Sequence, residues 1–110
     1  MTLFEKIIAR QIPADIVYED ADTIAFRDIS PRAPVHVLVC PKKAIPKLSD
    51  SDDGDTETLG KLLRSVARVA LAAGLTDYRV IINNGAGAGQ SVFHLHLHLM
   101  GGRTLTWPPG

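Results

Sequence analysis

Four histidines occur in 110 residues, and three of them fall at alternate positions, His94, His96 and His98. The residues between and after them, Leu95, Leu97 and Leu99, are all leucine. Side chains along an extended strand alternate between its faces, so this spacing predicts three imidazoles on one face and three leucines in the core behind them. Aligned imidazoles suit two kinds of chemistry, metal ligation and phosphate chemistry. A zinc ion wants Zn–N near ~2.0 Å. At ~3.4 Å per residue His94 and His98 stand ~13 Å apart, too far to share one ion, and no Cys, Asp or Glu lies between them. The spacing therefore argues against a metal.

Phosphate chemistry fits better. Asn84–Ser91 (NGAGAGQS) immediately precedes the histidines. Gly85, Gly87 and Gly89 allow the main chain to approach a ligand closely and to turn its amides toward an anion. No Gly-Lys-Ser/Thr follows, so this is not a Walker loop. A strand rather than a helix follows, so it is not a dinucleotide fingerprint either. Neutral imidazole is abundant near pH 7, given a reference pKa of ~6.5. It can take the phosphoryl group covalently and release it to water, dividing one difficult step into two. A protonated neighbouring histidine would stabilise the phosphate charge, and a hydroxyl such as Ser91 could relay a proton to the leaving group. The scheme needs no metal and no cofactor.

The elements that position these groups can be read locally. Thr2 and Glu5 form a capping box for a short helix carrying Leu3, Phe4, Ile7 and Ile8 on one face, with Pro13 as its stop. Ile16–Glu19 and Thr23–Arg27 read as a hairpin turning at Asp20–Asp22. Asp28–Pro34 (DISPRAP) is irregular, and Val35–Cys40 is a buried third strand. The acidic stretch Ser49–Glu57 lacks the ligands of a calcium loop, with Ser49 and Gly60 at its first and twelfth positions, and reads as a solvated lead into the next helix. Leu59, Leu62, Leu63, Val66, Val69, Ala70 and Ala73 mark a long helix capped by Gly74. Ala67, Leu71 and Ala72 widen its apolar surface, which suggests a subunit interface. Tyr78–Asn83 and His94–Met100 complete five strands. The fold expected is α+β, one domain over residues 1–110 on a five-stranded antiparallel sheet with one short and one long helix.

Twelve basic and twelve acidic residues leave no net charge. That disfavours duplex nucleic acid or an anionic membrane as partner. No apolar run approaches the ~20 residues of a membrane span, and no secretory signal is present. Cys40, the only cysteine, fits a reducing compartment and reads as a buried, inert thiol. A cytoplasmic location is expected.

The run His94-Leu95-His96-Leu97-His98-Leu99-Met100 resembles the His-φ-His-φ-His-φ-φ signature of the histidine-triad superfamily. IPADIVYED, DISPRAPVHVLVCPK, NNGAGAGQSV, MGGR and the terminal WPPG are similar to the Hint branch, the histidine triad nucleotide-binding proteins. The likeness runs from Phe4 to Gly110. It implies a homodimer whose sheet continues across the two subunits. It also implies hydrolysis of purine nucleoside phosphoramidates to nucleoside monophosphate and amine, and in some members of aminoacyl adenylates.

Carried onto this chain, the resemblance makes His96 the nucleophile and His98 a phosphate ligand. His94 and His36 become supports that orient and polarise the nucleophile, and Ser91 an aid to the leaving group. Asn83, Gly89 and Gln90 become the phosphate loop, and Asp28 the holder of the ribose hydroxyls. Phe4, Ile7, Phe26 and Ile29 match an apolar slot for the base, although taken alone they read as core. Trp107 matches a tail residue placed near the partner subunit's site. Two other readings are a non-catalytic nucleotide sensor or scaffold and a dinucleoside polyphosphate hydrolase. The family's transferases carry glutamine at the third triad position, and His98 is intact.

Overall fold

The computed structural model describes residues Met1–Gly110. The elements run α1 (Leu3–Ile8), β1 (Ile16–Glu19), β2 (Thr23–Arg27), β3 (Val35–Pro41), α2 (Thr56–Ala72), β4 (Tyr78–Ile81) and β5 (Leu97–Gly101). Short 3₁₀ turns occupy Leu48–Asp50, Asp53–Asp55 and Ala86–Ala88. The sheet is antiparallel throughout in the order β1-β2-β3-β5-β4. The expected α+β architecture is present.

The leucines between the histidines do what their spacing predicts. Leu95, Leu97 and Leu99 are buried with Ala25, Val37 and Val39 against Leu62, Val66, Val69 and Ala70 of α2. The opposite face of the sheet carries Ile24, Phe26, Leu38 and Cys40, which pack on Phe4 and Ile7 of α1. The site histidines belong to this second face, so α2 is the sheet's backing and α1 its cover beside the site.

Local signals fixed several boundaries. The Thr2–Glu5 capping box is formed in both directions. The hairpin turns where expected, because Asp20 Oδ1 accepts from the amides of Asp22 and Thr23. Helix α2 ends in a complete Schellman motif: Gly74 at φ 73° donates to Leu71 and Leu75 donates to Ala70.

Other boundaries differ from expectation. Helix α1 does not run to Pro13; it ends at Ile8, and Arg10 at φ 61° turns the chain away. Regular pairing of β5 begins at Leu97 rather than His94, and β4 ends at Ile81 rather than Asn83. The acidic stretch is not wholly solvated. Asp55 is buried and ion-paired to Lys43, while Asp52 Oδ1 caps the turn before α2 by accepting from the Gly54 amide.

Not all of the apolar surface is covered within the chain. Leu63 and Leu71 on α2 are 55% and 80% exposed, and Tyr78 and Val80 lie open along edge strand β4, with Ile82 just beyond its end. No helix is long and apolar enough to cross a membrane.

Candidate functional site

A cavity of about 560 Å³ opens between α1 and the second face of the sheet. His96, His98 and Ser91 form one side; Phe4, Ile7, Phe26 and Leu38 form an apolar wall; Asp28 and Ile29 stand at the rim. Phe4 makes edge contacts with Phe26 at 5.2 Å and with His96 at 4.9 Å between ring centroids. Phe4, Ile7 and Phe26 are thus both core and cavity wall, so the two readings of these residues describe one position. Ile29 borders the cavity but is 95% exposed.

Hydrogen bonds define the tautomers of the histidines, because each neutral imidazole has one N–H and one lone pair. His96 Nδ1 lies 2.7 Å from the main-chain oxygen of His94, which can only accept. The proton is on Nδ1, and Nε2 is left with a free lone pair. His36 Nδ1 accepts from the amide of Arg32 at 3.0 Å, so His36 carries its proton on Nε2. That Nε2 stands 2.9 Å from His98 Nδ1 and 3.4 Å from Asp28 Oδ2. His98 Nδ1 therefore accepts, and its Nε2 carries the N–H. One free lone pair and one N–H donor result, on side chains whose rings are 5.1 Å apart and which both line the cavity.

Burial is the main reason all three of these rings resist protonation. It lowers the pKa of His36, opposed by Asp28, and that of His96, opposed by the His94 carbonyl. Burial together with the neighbouring His96 and His36 pushes His98 down to about 4. The expected protonated neighbour is therefore corrected. Near pH 7 His98 offers a neutral N–H, since charging it would place a cation in a desolvated cluster. Burial likewise pushes the Cys40 thiol up, in keeping with an inert role.

The supports act differently from their assignment by resemblance. His94 orients His96 through its main-chain oxygen, while its own ring points away and its Nε2 donates to Pro41 O at 2.7 Å. His36 contacts His98, not His96. Gln90 is buried and its side chain is fully engaged. Oε1 accepts from the Gly85 amide at 2.8 Å, and Nε2 donates to Pro46 O and Val92 O. It shapes the glycine loop from inside rather than facing the cavity. Asn83 lies next to Gly89, with Nδ2 3.9 Å from where a Gly89 Cβ would sit. Asn83 and Trp107 line a separate hollow on β4, and Trp107 is 80% exposed. Neither reaches the cavity within this chain.

Gly85 and Gly89 adopt φ 94° and 96°, whereas Gly87 has no positive φ and open space around it. Gly89→Ala should therefore cost about 1–2 kcal/mol, and Gly87→Ala should be nearly neutral. Urea denaturation of the two variants checks this; equal losses would contradict it.

Leu38, Val92, Asp15, Arg27 and the 12–14 segment also line the cavity, and sequence reasoning did not single them out. Leu38 was findable: it is two residues from His36 on β3 and pairs across from both Phe26 and His98. Sequence spacing also missed that one ligand atom each of Asp28, His36 and His98 lies within 4.8 Å of the others. A cation there would compete with the His36–His98 hydrogen bond.

Residues 9–105 match the HIT domain family. The chain is 56% identical over 110 residues to an uncharacterized HIT-like protein of Synechocystis sp., covering 99% of this chain and 96% of that protein. Its fold is similar to the crystal structure of a HIT family hydrolase from Legionella pneumophila, with TM-score 0.97, 48% identity and full coverage of both chains. It is also similar to a histidine triad nucleotide-binding protein from Candida albicans, with TM-score 0.84 and 34% identity, covering 98% of this chain and 83% of that one.

Proposed function

We propose a function from one established premise: the chain belongs to the HIT domain family. The protein is a purine nucleoside phosphoramidate hydrolase of the Hint branch that works through a nucleotidyl-histidine intermediate. The observation that carries this reading is the tautomer of His96, whose Nδ1–H is held by the His94 carbonyl so that Nε2 faces the cavity as a lone pair.

In the first step Nε2 of His96 attacks the α-phosphorus, and the phosphorus–nitrogen bond of the substrate breaks. The amine leaves with a proton that the exposed Ser91 hydroxyl relays from solvent, and the proton released by the attacking water in the second step returns to solvent by the same route. The His98 Nε2–H donates to a phosphate oxygen throughout. Because His96 keeps its Nδ1 proton, the phosphorylated ring is cationic, and the His94 carbonyl stabilises it. Such a ring is a good leaving group when water attacks phosphorus in the second step. Asp28 at the rim accepts from the ribose hydroxyls, and Phe4, Ile7, Phe26 and Leu38 hold the base. The phosphate side of the cavity is formed by Ser91 and Val92 with His96 and His98. Asn83 lies outside it and the amides of Gly85, Ala88, Gly89 and Gln90 already donate within the loop, so the reading of Asn83, Gly89 and Gln90 as a phosphate loop is corrected.

The homodimer is part of the same proposal. The open face of Leu63 and Leu71 and the unpaired β4 edge support it, since an edge strand with exposed apolar residues invites pairing. Pairing there would continue the sheet and bring Trp107 toward the partner subunit's cavity. The even charge balance and lone buried cysteine support a single cytoplasmic domain.

The test is turnover of adenosine 5′-phosphoramidate with EDTA present. Release of adenosine monophosphate undiminished by the chelator is expected. Binding of the monophosphate without any turnover would favour the sensor reading instead, and loss of turnover with EDTA would implicate a cation at Asp28, His36 and His98.

A further inference from the structure

The MGGR segment after the triad has no task in the proposed reaction, yet it meets the loop before His36. Arg103 Nε and Nη2 both donate to the main-chain oxygen of Arg32, at 3.1 and 2.8 Å, and Nη1 donates to Thr104 O at 3.1 Å. Gly102, at φ 89°, lets the end of β5 press on the same loop. A Cβ there would sit 3.0 Å from Pro34 Cβ. The loop is thus held from outside by one guanidinium fork and one close glycine contact, across 71 residues of sequence.

The far side of this loop carries the amide that sets the tautomer chain. The Arg32 N–H donates to His36 Nδ1, which places the His36 proton on Nε2, which in turn makes His98 Nδ1 the acceptor. The Arg32 residue is held at its carbonyl and used at its amide. An imidazole without a fixed partner exchanges between its two N–H forms. The direction of this chain therefore depends on the Arg32 amide at His36 Nδ1, with the Asp28 carboxylate 3.4 Å from His36 Nε2 favouring the same form from the other side. Arg27, Asp28 and Arg32 are the charged groups near His36, and the Arg103 guanidinium reaches it only through the Arg32 main chain.

We propose that Arg103 is a positioning residue that locks the His36–His98 tautomer through the Arg32 main chain, so that His98 presents its Nε2–H to the substrate phosphate. The inference rests on the phosphoramidase reading for its consequence, but the lock itself is visible without substrate. Loss of Arg103 leaves the triad's composition intact and weakens its direction. The phosphate donor then spends part of its time as a lone pair facing an anion. Because the two forms exchange, the rate falls with the fraction of time His98 spends in the wrong form, about twofold at equal populations. Because the apolar slot and Asp28 are untouched, kcat falls and KM changes little.

The test compares the unliganded protein with Arg103→Met and Arg103→Gln by long-range ¹H–¹⁵N NMR of the histidine rings. In the parent, His36 and His98 should each show one protonated Nε2 and one unprotonated Nδ1. In Arg103→Met the His36 and His98 nitrogens should move toward averaged shifts, while His94 and His96, held by other carbonyls, should not. Arg103→Gln retains a polar side chain and keeps the test available if the methionine variant does not fold; the same averaging is expected. Unchanged His36 and His98 shifts in a folded variant would overturn the proposal and leave Arg103 as a fold staple only. If the lock is seen but neither parent nor variant turns over phosphoramidate, the reading of the reaction fails and the tautomer lock stands.

Discussion

Replacing His96 with alanine should lower kcat for phosphoramidate hydrolysis by at least about 10⁴-fold, the scale seen when a covalent nucleophile is deleted. No other group in the cavity can replace it. His98 presents an N–H rather than a lone pair, His36 is buried behind it, and the His94 ring faces Pro41. The fold should survive, because His96 packs at the edge of the cavity against Phe4 rather than among the leucines under α2. Binding of adenosine monophosphate should remain, since Asp28, Phe26 and Leu38 are unaffected. Steady-state rates and product titration on the same variant check both halves. A loss smaller than about tenfold would mean that His96 is not the nucleophile.

Acid should destabilise the protein well before its carboxylates titrate. The pKa of His98 falls from its ordinary value of 6.5 to about 4 on folding, and His36 and His96 shift in the same direction. A histidine whose pKa is depressed in the folded state leaves the unfolded chain binding more protons below pH 6.5. Its contribution to stability is complete above 6.5 and is lost as pH falls toward the folded value. For the half-buried His98 the loss by pH 4 is on the order of 1–2 kcal/mol, less than the full ~1.36 kcal/mol per unit because solvent screens a partly exposed ring. Against the ~5–15 kcal/mol that such a domain has, that is a measurable share. Glu19, Asp20 and Asp55 are held below their ordinary carboxylate values of 4.5 and 3.8. Their contributions therefore fade only at lower pH, and the interval from 6.5 to about 4.5 isolates the histidines. Urea midpoints across this interval should fall, and His98→Asn should flatten the slope. A flat profile in the parent would show that the histidines are solvated and that the tautomer chain is wrong.

Much of this was legible locally. Alternation placed the histidines and leucines on opposite faces, the Asp20 turn set the hairpin, and Gly74 marked the end of α2. What sequence could not supply was mostly non-local. The contact of His36 with His98 spans 62 residues and depends on the register of β3 with β5. The engagement of Gln90 by Pro46 spans 44. The carbonyl that fixes His96 depends on an irregular entry to β5, where Leu95 N donates to Ile45 O before the ladder begins. A simple alternation rule reads that entry as strand. Arg10 defeated the helix-stop rule for a related reason: a positive φ at a non-glycine residue has no strong sequence signal. The apolar slot was ambiguous because a cavity wall and a core face use the same residue types.

The central claim is that phosphorus passes through His96 Nε2. The most direct measurement is the stereochemical course at phosphorus, with a P-chiral adenosine phosphorothioamidate hydrolysed in ¹⁸O-water. Each in-line displacement inverts the centre, so attack by His96 followed by attack by water predicts net retention. Net inversion would mean that water attacks directly and that His96 acts as a base, which would contradict the account.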